Sequence, residues 1–131
     1  GLQSCYLRKA SVTLLNTLMP AQIAALEPLL RQECLTLSQG GRFFTIQDAS
    51  VSKGQALKVL TTRFSETLGT QVQTIAIGDS KNDESMLLGA DKAFLVEKAG
   101  GGWNDISVPA LLLAKGVGPQ GFLSAVTSLL S

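Results

Sequence analysis

The strongest constraint on the fold is the order of segments in the second half of the chain. "VQTIAI" reads as a strand that stops at Gly78, and Asp83 to Leu88 reads as a short helix. "KAFLV" is a second strand and "ALLLA" a third, followed by a closing helix over "GPQGFLSAVTSLL" with Pro119 near its start. Upstream, "SKGQALKVLTTRFSETL" has Ala56, Leu57, Leu60, Phe64 and Leu68 on one helical face, and Ser52 and Gln55 form a capping-box pattern at its start. Strands alternating with helices imply βαβ units and a largely parallel sheet. In such sheets ligands bind beyond the carboxyl ends of the strands, and Gly78-Asp79 sits at one of these ends.

The first half has a different order. "SVTLL" reads as a strand, and Pro20 to about Glu33 as a helix with Ile23, Leu26, Leu29 and Leu30 at helical spacing. Pro28 inside that helix predicts a kink. "LTLSQGGRFFTI" predicts two strands joined around Gly40-Gly41 in a tight hairpin, giving β-α-β-β. "GGGWNDIS" reads as a plain connecting loop, although a loop bringing Trp103 near a ligand is the alternative.

Composition removes several kinds of chemistry. The chain has 131 residues, a net charge of +1 and no histidine, so Ser-His-Asp, Cys-His and histidine-zinc sites are excluded. Its scattered lysines and arginines form no basic face, which argues against a nucleic-acid partner. Apolar runs such as "PALLLA" are too short to span a bilayer. Cys5 and Cys34 form neither a disulfide framework nor a spaced metal pair, and a reduced, cytoplasmic setting is expected. Apolar residues make up 45% of the chain against 16% charged, and it begins at Gly1. A piece of a larger protein, whose apolar surface belongs partly against other segments, would look like this.

The remaining chemistry is that of carboxylates, lysine, arginine and hydroxyls. Asp79, Asn82 and Asp83 crowd into one turn, an oxygen-rich set that suits Mg²⁺. The same residues also suit a plain strand-to-helix turn, with Ser80 or Asn82 as cap and acidic side chains complementing the dipole. Lys53 lies in a first helical turn, where the macrodipole disfavours a cation unless an anion such as phosphate is near. Alone, it also reads as an exposed lysine. Arg42, beside Gly41, could recognise a carboxylate or phosphate, or could be a solvated turn residue.

Together, "SKG" followed by "IGDSKND" resembles the haloacid dehalogenase superfamily of Mg²⁺-dependent phosphatases, in which a lysine precedes a helix and Gly-Asp-x-x-Asn-Asp ends the next strand. "GGRF", "GPQGF" and "KASVTLL" resemble its mannosyl-3-phosphoglycerate phosphatase branch. The resemblance covers the chain but only the later half of a full-length member. It implies an α/β fold, with residues 1–48 as the last β-α-β-β part of an α+β cap. Residues 49–131 would be the second half of a Rossmann-like parallel-sheet core. It also implies that Lys53 holds the transferring phosphoryl group and that Asp79 coordinates Mg²⁺, with Asn82 and Asp83 completing the metal surroundings. Gly41 and Arg42, and more weakly Ser80, would contact a phosphorylated sugar.

The departure from the family is an absent Asp-x-Asp nucleophile motif: no two aspartates here have that spacing. The resemblance therefore implies a missing N-terminal half as partner, an open sheet edge, and no activity from this chain alone. The alternatives are a phosphatase for another substrate, glucosyl-3-phosphoglycerate or a hexose phosphate, or a non-catalytic remnant binding Mg²⁺, phosphate or a protein.

Overall fold

The structure, a computed structural model, describes residues 4–7 (backbone only), 11–15, 17–40 and 43–131. Gly41 and Arg42, the expected hairpin turn and cap arginine, lie outside the described residues. The chain divides into two compact units, Gly1–Val51 and Ser52–Ser131.

The first unit is an antiparallel sheet with one helix. Its strands are β1 (Ser4–Leu7), β2 (Ser11–Leu14), β3 (Leu35–Gly40) and β4 (Phe43–Asp48), in the order β1-β2-β4-β3. The expected hairpin is present, with β3 and β4 paired from Leu35↔Asp48 to Gly40↔Phe43. β1, pairing with β2, is an element that the sequence reading missed. Helix α1 (Pro20–Gln32) runs on through Pro28, whose ring nitrogen supplies no hydrogen bond. Leu14, Leu18 and Phe44 form the core, with Ile23 and Leu26 packed against them. Leu30 is also buried. Leu29, expected on the same face, is 59% exposed, because one residue turns the helix by about 100°. Beyond β4, Asp48 accepts the Ser50 N–H at 2.8 Å in a local turn.

The second unit is a parallel sheet in the order β5-β6-β7: Ile75–Gly78, Lys92–Glu97 and Leu112–Val117. Its helices are α2 (Lys53–Leu68), α3 (Glu84–Gly89) after a 3₁₀ turn at Lys81–Asp83, and α4 (Pro119–Leu130). The α/β class is as expected. β6 explains the unbroken apolar run "AFLV", because both of its faces are covered. Ala93 and Leu95 join Ala76, Leu87 and Ile106 on one side, while Phe94 and Val96 join Ala114 and Ala125 on the other.

One expectation needed correction here. The third strand begins at Leu112, inside "ALLLA", and continues past it to Val117. Gly116 carries φ +104° there, and its N–H is held by Glu97 Oε2 at 2.7 Å. The apolar face of α2 is turned outward. Gly54, Leu57, Thr61 and Ser65 are its half-buried stripe, while Leu60, Phe64 and Leu68 are all exposed. Gly54 sets this rotation: a Cβ there would stand 2.4 Å from the Ser85 carbonyl oxygen, so only glycine lets α2 approach α3. No helix among the described residues is long and apolar enough to cross a membrane.

Candidate active site

β5 delivers Gly78 at the carboxyl edge of the sheet, and the chain then turns sharply into the 3₁₀ segment. That turn is organised around one carboxylate. Asp83 Oδ2 accepts the N–H of Asp79 at 3.0 Å, the N–H of Ser80 at 3.2 Å and the Ser80 hydroxyl at 3.2 Å. Its other oxygen, Oδ1, receives the Lys53 ammonium. Asp83 is only 4% exposed and is the single buried charged side chain among the described residues.

Gly78 makes room for this arrangement. A Cβ on it would lie 2.6 Å from the Asp83 Cβ and 2.9 Å from its Oδ2. Burial pushes the Asp83 carboxyl up, but the Lys53 hydrogen bond, the Asp79 and Ser80 N–H groups and the lysine charge outweigh it. The carboxyl is held below its ordinary value of 3.8.

Lys53 opens α2, whose cap is Ser52, with its hydroxyl accepting the Gln55 N–H at 3.1 Å. The anion expected beside Lys53 is supplied in the first instance by the protein itself, as Asp83. An ammonium has three donors, however, and the lysine side chain is half exposed. Lys53, Asp79 and Asp83 border one open cavity of about 450 Å³, lined on its apolar side by Met86, Val96 and Phe122. A phosphate-sized anion fits beside the lysine in such a space.

The expected residues thus fall into three groups. Lys53, Asp79 and Asp83 come together at the cavity. Ser80 and Asn82 are not part of its lining, and the Ser80 hydroxyl shares its single proton between Asp83 Oδ2 and Asn82 Oδ1. Gly41 and Arg42 belong to residues not described. Asp79 differs from Asp83 in being exposed, with no hydrogen bond to its carboxylate among the described residues, whereas the oxygens of Asp83 are committed to donors.

This donor set is hard and oxygen-based. No cluster of three or more acidic, cysteine or histidine side chains that could hold a metal occurs among the described residues. It fits one face of a Mg²⁺ shell, in which a single carboxylate is joined by waters and phosphate oxygens. A residue that the sequence reading missed is Asn104, in the "GGGWND" loop, whose side-chain amide donates to the Asp79 carbonyl at 2.5 Å.

Comparison with known proteins places these features in context. A glucosyl-3-phosphoglycerate/mannosyl-3-phosphoglycerate phosphatase of Methanococcoides burtonii is 36% identical over 103 residues, covering 78% of this chain and 37% of that protein. A protein with the same description from Persephonella marina is 27% identical over 109 residues, covering 83% of this chain and 40% of that one. The chain therefore spans well under half the length of these relatives. A crystal structure of a trehalose-6-phosphate phosphatase related protein overlays 99% of the chain and 53% of its own, with a TM-score of 0.53 at 16% identity, a likeness of fold. The haloacid dehalogenase-like hydrolase family matches residues 10–102, and the chain, carrying the lysine and the Gly-Asp-x-x-Asn-Asp turn in one cavity, belongs to that family.

Proposed function

We propose that this chain is the C-terminal part of a Mg²⁺-dependent phosphatase that releases phosphate from mannosyl-3-phosphoglycerate, leaving mannosylglycerate. The observation that carries this reading is the convergence of Lys53 and Asp79 on one cavity, with Asp83 buried behind them. Lys53 binds the phosphoryl group as a cation held in place by Asp83, so its position is set before substrate arrives. Asp79 presents a free carboxylate to the metal side, and Asn82, Ser80 and Asp83 keep that turn rigid. Mg²⁺, when bound, supplies charge neutralisation for phosphoryl transfer.

The nucleophile is an aspartate outside this chain, and phosphate leaves through an aspartyl-phosphate that water hydrolyses. Residues 1–48 act as part of a substrate-selecting cap, in which Gly41 and Arg42 reach the phosphoglycerate end, and residues 49–131 as half of the catalytic core. A further polypeptide segment, covalent or separate, covers what this chain leaves open. Supporting this, β5 pairs only with β6 among the described residues, and the Leu60-Phe64-Leu68 stripe of α2 is exposed. An apolar groove of about 650 Å³ also runs from Ile75 and Ile77 to Phe122 and Leu129. A cytoplasmic setting belongs to the same proposal, with Cys34 a free, exposed thiol.

A second substrate is favoured by a specific observation, since the two relatives are described as acting on the glucosyl as well as the mannosyl compound. The decisive test is phosphate release by the full-length protein. Asp79→Ala should abolish Mg²⁺-dependent turnover, and unchanged turnover would overturn the metal role. Comparing both glycosyl-phosphoglycerates with simple hexose phosphates sets the substrate. Faster turnover of hexose phosphates would replace the phosphoglycerate reading. The 131-residue chain alone should be inactive; hydrolysis by it would sink the account of the nucleophile.

A further inference from the structure

The loop between β6 and β7 has an unusual start. Gly100, Gly101 and Gly102 carry φ of +97°, +90° and +71°, a left-handed run that favours glycine at each position. The run folds the chain back on itself: the Lys98 N–H meets the Gly102 carbonyl and the Gly101 N–H meets the Lys98 carbonyl, both at 2.9 Å. Trp103 then tucks against the Ala76-Leu87-Leu95 cluster, and its indole N–H donates to the Ala114 carbonyl of β7 at 3.2 Å. An aromatic anchor tied at both its apolar body and its polar edge fixes the next residue in space. That next residue is Asn104.

The Asn104 amide meets the Asp79 carbonyl, and the same peptide unit carries the Ser80 N–H, which is bound to Asp83 Oδ2. One peptide plane is therefore held at its oxygen by Asn104 and at its nitrogen by Asp83. The Asp79 N–H, also on Asp83, holds the preceding plane. With both planes pinned, the direction in which the Asp79 Cβ leaves the backbone is set, and only its side-chain torsions stay free. Without Asn104, the oxygen end of the second plane has lost its protein partner, and rotation of that plane re-aims the carboxylate.

We propose that Asn104 is a positioning residue: through the Asp79 carbonyl it aims the Asp79 carboxylate into the cavity, and the glycine run with Trp103 exists to hold it there. The inference rests on the reading of Asp79 as a metal-binding carboxylate. It assigns to the β6–β7 loop a part in metal affinity that its composition does not suggest.

The test is Mg²⁺ titration by calorimetry on the full-length protein, with thermal unfolding measured alongside. Asn104→Asp keeps the shape but replaces the donor with an acceptor, and Asn104→Ala removes the donor without adding charge, should the first variant fail to fold. Each should weaken Mg²⁺ binding about tenfold, the size seen when a group orienting a metal ligand is lost. The unfolding midpoint should move far less than it does in Asp83→Ala. Asp79→Asn is the reference and should weaken Mg²⁺ binding more than either. If Asp79→Asn loses affinity while both folded Asn104 variants bind Mg²⁺ as the parent does, the positioning role is overturned and the metal reading stands. If Asp79→Asn also binds as the parent does, the metal reading fails and the inference falls with it.

Discussion

The two ends of β5 each carry an aspartate that gathers a backbone N–H and a hydroxyl, and they serve different ends. At the amino end, Asp91 Oδ2 accepts the Thr74 N–H at 2.7 Å and its hydroxyl at 2.8 Å, while the Asp91 N–H returns to Thr74 Oγ1 at 3.0 Å. This reciprocal clasp ties the approach of β5 to that of β6, next to the Ile75↔Lys92 pair that begins their register. It is exposed, and Asp91 forms no ion pair among the described residues. At the carboxyl end, Asp83 makes the same kinds of bond but is buried, pairs with Lys53 from another element, and has Asp79 beside it.

Both carboxyls are lowered from their ordinary value of 3.8, Asp91 by the Thr74 N–H and hydroxyl, Asp83 against the opposing push of burial. A lowered carboxyl therefore does not mark the site. What marks it is a buried carboxylate whose partners converge from separate elements on a cavity.

Four experiments test that contrast. The largest expected effect is that of Asp83→Ala, which strips the acceptor from two backbone N–H groups and a hydroxyl and unpairs Lys53. A loss of about 2–4 kcal/mol is expected in denaturant unfolding, since the orphaned groups are partly buried. If Asp91→Ala costs as much, the two ends are equivalent and the contrast is wrong.

Gly78→Ala follows. Its Cβ must push the Asp83 side chain aside, and about 1–3 kcal/mol is the usual cost of such overpacking. The displaced carboxylate should also weaken phosphate release, which steady-state kinetics would show.

Third is pH. Asp83 has a depressed pKa in the folded state, so its contribution is complete above 3.8, the ordinary value, and is lost as pH falls through the folded value. Unfolding midpoints measured from neutral to acid pH should drop in that window. Asp83→Asn should flatten the drop more than Asp91→Asn does, and the reverse order would show that the exposed clasp carries the acid sensitivity. The smallest effect is expected from Thr74→Val, which keeps the shape and removes the hydroxyl. A modest fall in melting temperature with unchanged turnover is the expected outcome, and lost turnover would mean that the amino end of β5 also serves the site.

Much of this organisation is legible in the sequence because it is local. The hairpin strands around Gly40, the Ser52 cap and the doubly buried run of β6 each follow from residue types at fixed spacing. The Lys53, Asp79 and Asp83 set is legible only through the family resemblance of "SKG" and "IGDSKND", since by position alone these residues also suit a plain turn and an exposed lysine. The parts that escaped depend on partners far along the chain. "KGV" extends β7 only because β6 lies beside it and Glu97 takes the Gly116 N–H. For α2, apolar spacing shows which residues share a face, while the close approach of Gly54 to Ser85 decides which face is turned inward.

Residue order and composition therefore account for the alternation of elements and for a candidate site of carboxylates and lysine in a chain without histidine. That Asp83 serves as the buried pivot while Asp79 stays exposed comes from packing between elements. Both are aspartates in one turn, and nothing in their spacing tells them apart. The difference arises because Gly78 leaves room for one carboxylate and Lys53 arrives from α2 to meet it. Asn104, 25 residues further on, closes the other side of the same peptide. Such contacts are set by packing across elements, which local sequence does not encode.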